Sequence, residues 1–487
     1  MFSSTKTSRP NASSFRIIKD SMLQADELPL AEVIDDEKWQ AAFDRYKVSF
    51  GTDSDSIYTA AITLWALISQ VFFKEEHRGC KAAVVRVASW WATLGQIISS
   101  TNTGAYCRAR LKIPFEVVRD IAVEIALSAE AAYQQQDHED YRGKLHPIVA
   151  KVQSEPWSGR ILLVDGFTVT AADTPENQAE FPQNSSQKEG LGFPIIRGVS
   201  LISMVTGLLL DVELAPYAGK QSGETALLWR MLEQLQRGDI LVADCFYCTY
   251  WLITACQLKG VEIVMKNHDK RDDDPLGADR IDKHQRIAVW LKPKRPDWMS
   301  EEDYLALPDK LKIRLVDIII DQPGFRSKKY TIATTIMNSN VYSRDWLTNL
   351  YRSRWLVELD IRSIKCALGM DLIRAKTPAM VRTEIWSCLL AYNLIVMKML
   401  QSGSVNGRMP RTLSFTTTLQ LLGNNWLLGG VLLTDALVQL GLQTSSSETV
   451  SDRLDRVEPR ANKRRPKLLA LLTKPRRVAQ LELLAAA

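Results

Sequence analysis

Cysteine and histidine are scarce in this sequence. Seven cysteines and five histidines are spread over 487 residues, a distribution that excludes a dense disulfide framework and favours a reducing cytoplasm. Cys245 and Cys248 have metal-ligand spacing, but no second pair completes a tetrahedral zinc site, so we interpret them as core residues. The sequence also lacks a glycine-rich phosphate loop, so the use of ATP is not implied.

Long hydrophobic runs are missing as well. The longest, from Tyr58 to Phe73, is shorter than the roughly 20 residues that cross a bilayer, and it contains Ser69 and Gln70. We predict a buried helix there and no membrane partner. Residues 1–20 are rich in Ser, Thr and Arg and lack the apolar stretch of a signal peptide, so we predict a disordered lead-in and no secretion. With 46% hydrophobic residues, the chain can bury substantial cores.

Positive charge is concentrated near the end of the sequence. Eight Lys and Arg residues and no acid lie between Pro459 and Gln480, and subtracting these eight charges from the net +5 leaves −3 for the rest. Such a cluster is typical of contact with a polyanion. A solvated, unstructured tail is the alternative.

Helical patterns dominate the segment that follows the lead-in. Apolar stretches between Tyr58 and Gln135 are separated by polar breaks, so we predict a helical N-terminal DNA-binding domain at 51–150 after a disordered lead-in and entry segment at 1–50. Arg108 and Arg110 would share one helix there and are suited to DNA phosphates. Exposed arginines without a ligand are the alternative.

The order of elements after Pro156 indicates an α/β fold. The pattern predicts three strands, then a helix, a strand, a helix and a fifth strand. In chain order these are strands Ile161–Val164, Ile195–Met204 and Leu208–Leu214, helix Glu224–Gln236, strand Ile240–Ala243, helix Tyr250–Leu258 and strand Val261–Met265. This is the RNase H-like order, in which the first and fourth strands are neighbours. Asp165 and Asp244 follow those two strands, so the sequence predicts that they lie together at one edge of a mixed sheet.

A change of composition follows the fifth strand. Charged and proline-bearing segments with short strand patterns predict a β-rich insertion at about 270–342, within a domain at 151–400. A long amphipathic helix is predicted from Ser343 to Leu368. A helical, basic C-terminal region is expected at 401–487.

Four residues of the long predicted helix share one face. Tyr351, Arg354, Glu358 and Lys365 fall within an arc of roughly 60° at helical spacing, which groups one acid with three phosphate-capable donors. The alternative is a surface helix with Glu and Arg pairs.

These residues match the Y-x2-R-x3-E-x6-K signature of the insertion-sequence-four family of DDE transposases, which the sequence resembles from about residue 50 to 480. Other family-like segments are Leu163–Gly166, Val242–Tyr247, Pro323–Arg326, Leu350–Trp355 and Pro459–Lys467. The sequence departs from the family at Lys266, where relatives often have Arg, and at Phe167, which interrupts the usual Asp-Gly-Thr.

The resemblance implies a catalytic, metal-binding triad of Asp165, Asp244 and Glu358. Two Mg²⁺ ions are implied, with Mn²⁺ able to substitute, Asp165 bridging both ions and each other acid holding one. Carboxylates from separate elements suit Mg²⁺, and paired ions suit phosphodiester cleavage. Asp360 should face away from Glu358, and Asp173 is interpreted as a turn cap.

The resemblance also implies a cut-and-paste DNA transposase in the bacterial nucleoid. Such a protein binds double-stranded terminal inverted repeats as a homodimer, cleaves them and joins the 3′ ends to target DNA. Two alternatives are a plain metal-dependent nuclease and a catalytically inactive or domesticated DNA-binding relative.

Further DNA contacts are expected from the same resemblance. Tyr351, Arg354 and Lys365 would bind DNA near the acids, and Arg464 and Arg465 would bind it from the tail. Tyr330 matches the position of a family Trp that holds a flipped base, with Trp290 and Trp298 as rivals. The alternative is that these three aromatic residues pack the core of the insertion.

Overall fold

The computed structural model describes residues 13–53, 55–76, 78–135, 157, 159–268, 271, 278–320, 328–450 and 472–486. Its α-helices are α1 Arg16–Ser21, α2 Asp36–Arg45, α3 Ala60–Phe72, α4 Cys80–Thr93, α5 Thr103–Arg110, α6 Phe115–Gln135, α7 Pro175–Glu180, α8 Glu224–Arg230, α9 Tyr250–Leu258, α10 Glu301–Ala306, α11 Arg344–Ser353, α12 Trp355–Arg362, α13 Pro378–Asn406, α14 Phe415–Gly429, α15 Asp435–Ser447 and α16 Arg476–Ala485. Its strands are β1 Ile161–Thr170, β2 Ile195–Ser203, β3 Leu209–Pro216, β4 Ile240–Ala243, β5 Glu262–Lys266, β6 Asp279–Arg280, β7 Gln285–Leu291, β8 Lys310–Ile320 and β9 Lys328–Thr334.

The strands form one mixed sheet in the order β3-β2-β1-β4-β5-β9-β8-β7-β6. Strands β1, β4 and β5 are parallel, and β2 and β3 form an antiparallel hairpin on β1. The predicted adjacency of the first and fourth strands is therefore confirmed. Strand β1 continues to Thr170 instead of ending at Asp165, because β2 pairs with it along that whole length.

The predicted β-rich insertion extends this sheet. Strand β9 pairs antiparallel with β5, and β8, β7 and β6 follow outward in turn. The free edge of β5 would otherwise leave its backbone N–H and C=O groups unpaired. Ile332 and Ala333 of β9 are fully buried at this junction, so the insertion shares the core of the main sheet.

The segment before Tyr58 contains more structure than the sequence indicated. Residues 13–50, which belong to the predicted lead-in and entry segment, hold α1 and α2. Asp35 caps α2 by accepting from the Glu37 and Lys38 amides. Phe15 and Phe43 are buried with their ring centroids 5.0 Å apart. A few large apolar residues therefore anchor a segment whose overall composition is polar.

Helix α13 lies at the centre of the helical part of the protein. By length and composition it could cross a membrane, but 89% of its most apolar window is buried inside the protein. It packs on α6, α3, α14 and α15. Helices before and after the sheet thus share one continuous core with it, and α13 has the environment of a core helix.

The helix predicted from Ser343 to Leu368 is interrupted twice. Helix α11 ends at Ser353, α12 begins at Trp355, and a π-helical turn occupies Ser363–Ala367. At the first break the Arg354 amide donates to the Tyr351 carbonyl, three residues back. Such tightening and widening of the helix change the face on which later side chains lie.

Part of the predicted basic tail lies outside the described residues. Arg464 and Arg465 belong to 451–471, and the family-like segment Pro323–Arg326 belongs to 321–327; neither range is described. Helix α16 follows the first of these ranges.

Candidate active site

Two parallel strands bring Asp165 and Asp244 to the same level of the sheet. Leu163 of β1 pairs with Val242 of β4, and each aspartate stands two residues further along its chain. Strand β4 ends at Ala243, so Asp244 opens a turn, in which its Oδ1 accepts the Phe246 amide at 2.8 Å. The sequence prediction that these two acids lie together agrees with this register.

Glu358 reaches the same region from α12, which packs on β1. Arg354, at the break between α11 and α12, joins it to the sheet. Its Nη2 donates to Glu358 Oε1 at 2.7 Å, and its Nη1 lies 3.6 Å from Asp165 Oδ2. The three side chains are between 20% and 32% exposed, so the guanidinium bridges two carboxylates in a partly desolvated cleft.

The pKa of the Asp165 carboxyl is shifted by its burial and by the charged groups around it. Burial raises the pKa of its carboxyl to about 6, against the lowering effects of Arg354 and of the Gly166 amide, which donates to it at 2.9 Å. The charges of Glu358 and Asp244 raise the same pKa further. Asp165 is thus within electrostatic range of both other acids, and the cleft has excess negative charge.

An aromatic and basic group borders the acids. Tyr351 is buried, and burial together with the nearby Asp244 charge raises the pKa of its hydroxyl, while Arg354 opposes that shift. The Tyr330 ring centroid lies 6.2 Å from that of Tyr351, and Lys266 Nζ lies 5.3 Å from the Tyr330 centroid. The predicted Tyr330 is therefore next to the cleft.

Three other predicted residues have no contact with the acids in the described part of the chain. Lys365 belongs to the π-helical turn Ser363–Ala367, and it forms no ion pair with the described acids. Trp290 is 4% exposed, with the Arg271 guanidinium 4.0 Å from its ring centroid. The Trp298 ring packs against Trp229 and Trp251.

Two further acids have structural partners. Asp360 is buried and pairs with Arg411 at 2.6 Å, so it faces away from Glu358 as predicted. Asp173 accepts the Gln178 side-chain amide at 2.9 Å, in keeping with its interpretation as a turn residue.

Phe167, the departure from the family pattern, has a packing role. It pairs with Gly198 across β1 and β2, and a Cβ added at Gly198 would lie 2.3 Å from the Phe167 ring. The ring therefore covers a strand glycine, leaving Asp165 in place.

Sequence reasoning missed a fourth acid beside the cleft. Glu224, the first residue of α8, was interpreted only as an acid suited to the helix dipole. Its Oε2 accepts the Tyr247 hydroxyl at 3.0 Å, and a Cβ at Gly166 would lie 2.5 Å from its Cδ. The sequence signals were the glycine after Asp165 and the tyrosine three residues after Asp244, but nothing local connected them to Glu224.

The chemistry of the donor set fits a divalent cation. Carboxylate oxygens from three separate elements are ligands that Mg²⁺ prefers, and the cleft already attracts one cation, the Arg354 guanidinium. In this conformation no three His, Cys, Asp or Glu side chains among the described residues are close enough together to hold a metal ion. The Arg354 guanidinium occupies the space between Asp165 and Glu358.

Comparisons with known proteins show that part of the chain is similar to transposases. Residues 156–394 match the family model described as a transposase DDE domain, a range that includes Asp165, Asp244 and Glu358. The chain is similar to the transposase InsG for insertion sequence element IS4 of Escherichia coli (strain K12), with 25% identity over 53% of this chain and 57% of that protein. It is also 28% identical to the Escherichia coli transposase for insertion sequence element IS421, over 22% of this chain and 28% of that protein.

The aligned regions thus span less than two thirds of these relatives. Among solved structures, the piggyBac transposase synaptic complex with hairpin DNA matches with a TM-score of 0.41 and 9% identity, over 90% of this chain and 84% of that chain. The domain match identifies residues 156–394 as a transposase DDE domain, and the likeness to the first relative supports a domain of the insertion-sequence-four type.

Proposed function

We propose that this protein is a cut-and-paste DNA transposase. It would use Asp165, Asp244 and Glu358 as catalytic acids to cleave DNA, and it would join the resulting 3′ ends to target DNA. The observation that carries the proposal is the convergence of these acids: two in one register of parallel strands, and the third tied to Asp165 by Arg354. We propose that strands β1 to β5 are an RNase H-like core, which would deliver the acids from separate elements.

The acids would hold two divalent cations, Mg²⁺ or Mn²⁺. Bound there, these ions would neutralise the phosphate and stabilise the attacking and leaving oxygens of an in-line displacement. Asp165, Asp244 and Glu358 are the residues that would hold these ions. The partial burial of the cleft would strengthen each of these charge interactions.

The chain's own residues would hold the scissile phosphate. Arg354 presents a fork of N–H donors that matches the geometry of a phosphate. Displaced from Asp165 and Glu358, it would remain on the same helix break and could turn to the DNA backbone. Tyr351 offers an O–H donor near Arg354, and Lys266, beside the Tyr330 ring, offers an ammonium donor. Lys365 is a further candidate contact if the π-helical turn rearranges on DNA.

Double-stranded DNA is the partner we propose, as transposon ends and as target. Joining two ends to one target suggests a homodimer that holds both ends together. The basic tail would add phosphate contacts that carry no sequence information. We propose the bacterial nucleoid as the location of the protein, because transposon ends and target DNA would both be present there.

The test is a strand-transfer assay with DNA taken from both flanks of the coding region. Purified protein with Mg²⁺ should cleave the inverted repeats and join their 3′ ends to a supercoiled plasmid. Asp165→Asn, Asp244→Asn and Glu358→Gln should each reduce cleavage at least about a hundredfold, while DNA binding persists. Asp173→Asn, an exposed acid in a turn, is the matched control.

Two results would contradict the proposal. Cleavage without joining would assign the protein to the nucleases that share the fold. DNA binding with no cleavage in Mg²⁺ or Mn²⁺ would assign it to catalytically inactive relatives. Normal cleavage by one acid variant would remove that residue from the site.

A further inference from the structure

We propose that Glu224 is a positioning residue for Asp244: through the Tyr247 hydroxyl it holds the turn after β4 against β1, and so keeps Asp244 beside Asp165. This inference rests on the proposed function, because it gives Glu224 a part in arranging the acids of that site. It treats Glu224 as a group that acts through its neighbours.

The start of α8 is hydrogen-bonded to the turn that carries Asp244. Glu224 accepts the Tyr247 hydroxyl at 3.0 Å, and the next residue, Thr225, donates from its hydroxyl to the Phe246 carbonyl at 3.4 Å. Phe246 in turn donates its amide to Asp244 Oδ1 at 2.8 Å. A chain of contacts therefore runs from α8 to the carboxylate of Asp244.

Glu224 also touches the segment that carries Asp165. A Cβ at Gly166 would lie 2.5 Å from the Glu224 Cδ and 2.6 and 2.7 Å from its two oxygens. A side chain at residue 166 would therefore displace this carboxylate from its position. The Gly166 amide donates to Asp165 Oδ1 at 2.9 Å. Glu224 is thus in contact with the neighbours of both aspartates.

The geometry favours a positioning role over direct ligation. Tyr247 is fully buried, so its hydroxyl needs an internal acceptor, and Glu224 Oε2 is that acceptor. Burial raises the pKa of the Tyr247 hydroxyl well above its usual value, which keeps it a donor at neutral pH. In the part of the chain that the structure describes, no Lys or Arg forms an ion pair with Glu224, so this hydrogen bond is its polar anchor.

A double-mutant cycle on Glu224 and Tyr247 tests the inference. Glu224→Ala, Tyr247→Phe and the double variant are titrated with Mn²⁺, and binding is read from the electron paramagnetic resonance signal of free Mn²⁺. Nicking of supercoiled plasmid is measured in parallel. Each single variant should raise the half-saturating Mn²⁺ concentration about tenfold, as expected for the loss of one buried hydrogen bond. The double variant should be no worse than either single one, because both remove the same contact.

One further variant distinguishes the hydrogen-bonding role of Glu224 from its negative charge, and another is a control. Glu224→Gln keeps an acceptor for Tyr247 and should show a smaller defect than Glu224→Ala. Glu233→Ala removes an exposed glutamate close after α8 and should bind Mn²⁺ like the wild type. Thermal unfolding of each variant checks the fold. If Glu224→Ala does not fold, the comparison of Tyr247→Phe with the wild type carries the test.

The outcomes are distinct. A Glu224→Gln defect as large as that of Glu224→Ala would mean that the carboxylate itself contacts the cation, and would overturn the positioning role. Additive effects, or unchanged Mn²⁺ binding in Tyr247→Phe, would overturn it as well. If the wild type binds Mn²⁺ with the predicted pattern of variants but nicks no DNA, the positioning role stands and the proposed function fails.

Discussion

Arg354 lies between two acids of the candidate site, with its Nη1 3.6 Å from Asp165 Oδ2 while its Nη2 donates to Glu358. One arginine thus occupies the region between carboxylates that we propose as metal ligands. Because a guanidinium and a divalent cation would compete for the same negative charge, DNA phosphate could draw Arg354 away and so favour metal binding.

Substitution of Arg354 should separate metal binding from catalysis. In the absence of DNA, Arg354→Gln should bind Mn²⁺ about tenfold more tightly, because the competing positive charge is lost. Its DNA cleavage should fall because the phosphate donor is lost as well. Isothermal titration with Mn²⁺ and a cleavage assay measure the two effects. Arg362→Gln, at an exposed arginine of α12, is the control. Unchanged or weaker Mn²⁺ binding by Arg354→Gln would contradict the competition.

Tyr330 should hold an unstacked base at the DNA end. Its ring is half-buried beside Tyr351, and stacking one base on an aromatic ring is worth about 1–3 kcal/mol. With 2-aminopurine at the penultimate position, fluorescence should rise on metal-activated cleavage by the wild type and by Tyr330→Phe, but not by Tyr330→Ala. A normal rise in the folded, active Tyr330→Ala variant would make Tyr330 a packing residue.

Arg464 and Arg465 should contribute phosphate contacts from the tail. Reversing both charges to Glu should weaken DNA binding and flatten its salt dependence by up to about 0.9 log unit per lost contact. Fluorescence anisotropy at several salt concentrations gives the slope. Reversal of Lys47 and Lys188, two exposed lysines, matches the charge change. If the two double variants show the same dependence of DNA affinity on salt, Arg464 and Arg465 do not contact phosphates and the tail has another role.

Lys398 should make stability depend on pH. It is fully buried in α13, where it donates to the Leu23 carbonyl and to Gln401 Oε1 at 2.8 Å each, and burial lowers its pKa from 10.5 to about 7. Between these two values the unfolded chain binds one more proton than the folded one. The free energy of unfolding should therefore rise with pH in this window. The stability gained at high pH should be lost again as the pH falls toward 7.

Replacing Lys398 removes this dependence. The slope of unfolding free energy against pH, measured by urea denaturation between about pH 7.5 and 9.5, should fall by about 1.4 kcal/mol per pH unit in Lys398→Met. Lys376→Met, at an exposed lysine, should keep the wild-type slope. Identical slopes in both variants would show that Lys398 stays charged in the folded protein.

Local patterns were sufficient to predict most of the sheet and two of its acids. The apolar run from Ile161 and the short run Ile240–Ala243 are each buried strands, and parallel pairing of such strands aligns the residues that follow them. Asp165 and Asp244 were therefore predictable as neighbours. The helices from Ala60, from Phe115 and from Pro378 were predictable for a similar reason, because their apolar spacing suits burial.

Helix continuity was harder to predict. Regular periodicity placed Tyr351, Arg354, Glu358 and Lys365 on one face, but the chain tightens at Arg354 and widens at Ser363–Ala367. The segments on either side of the breaks pack on β8, β5, β1 and α13. Local propensity contains no information on such contacts.

By itself, then, the sequence determined which strands are buried, which acids follow them, and the family signature that they share. Tertiary structure alone decided that Arg354 stands between Asp165 and Glu358, and that Glu224 rests on Gly166 while accepting from Tyr247. The physical reason is separation along the chain: residues far apart in sequence meet only after the sheet and its helices pack, and their contacts follow from that packing.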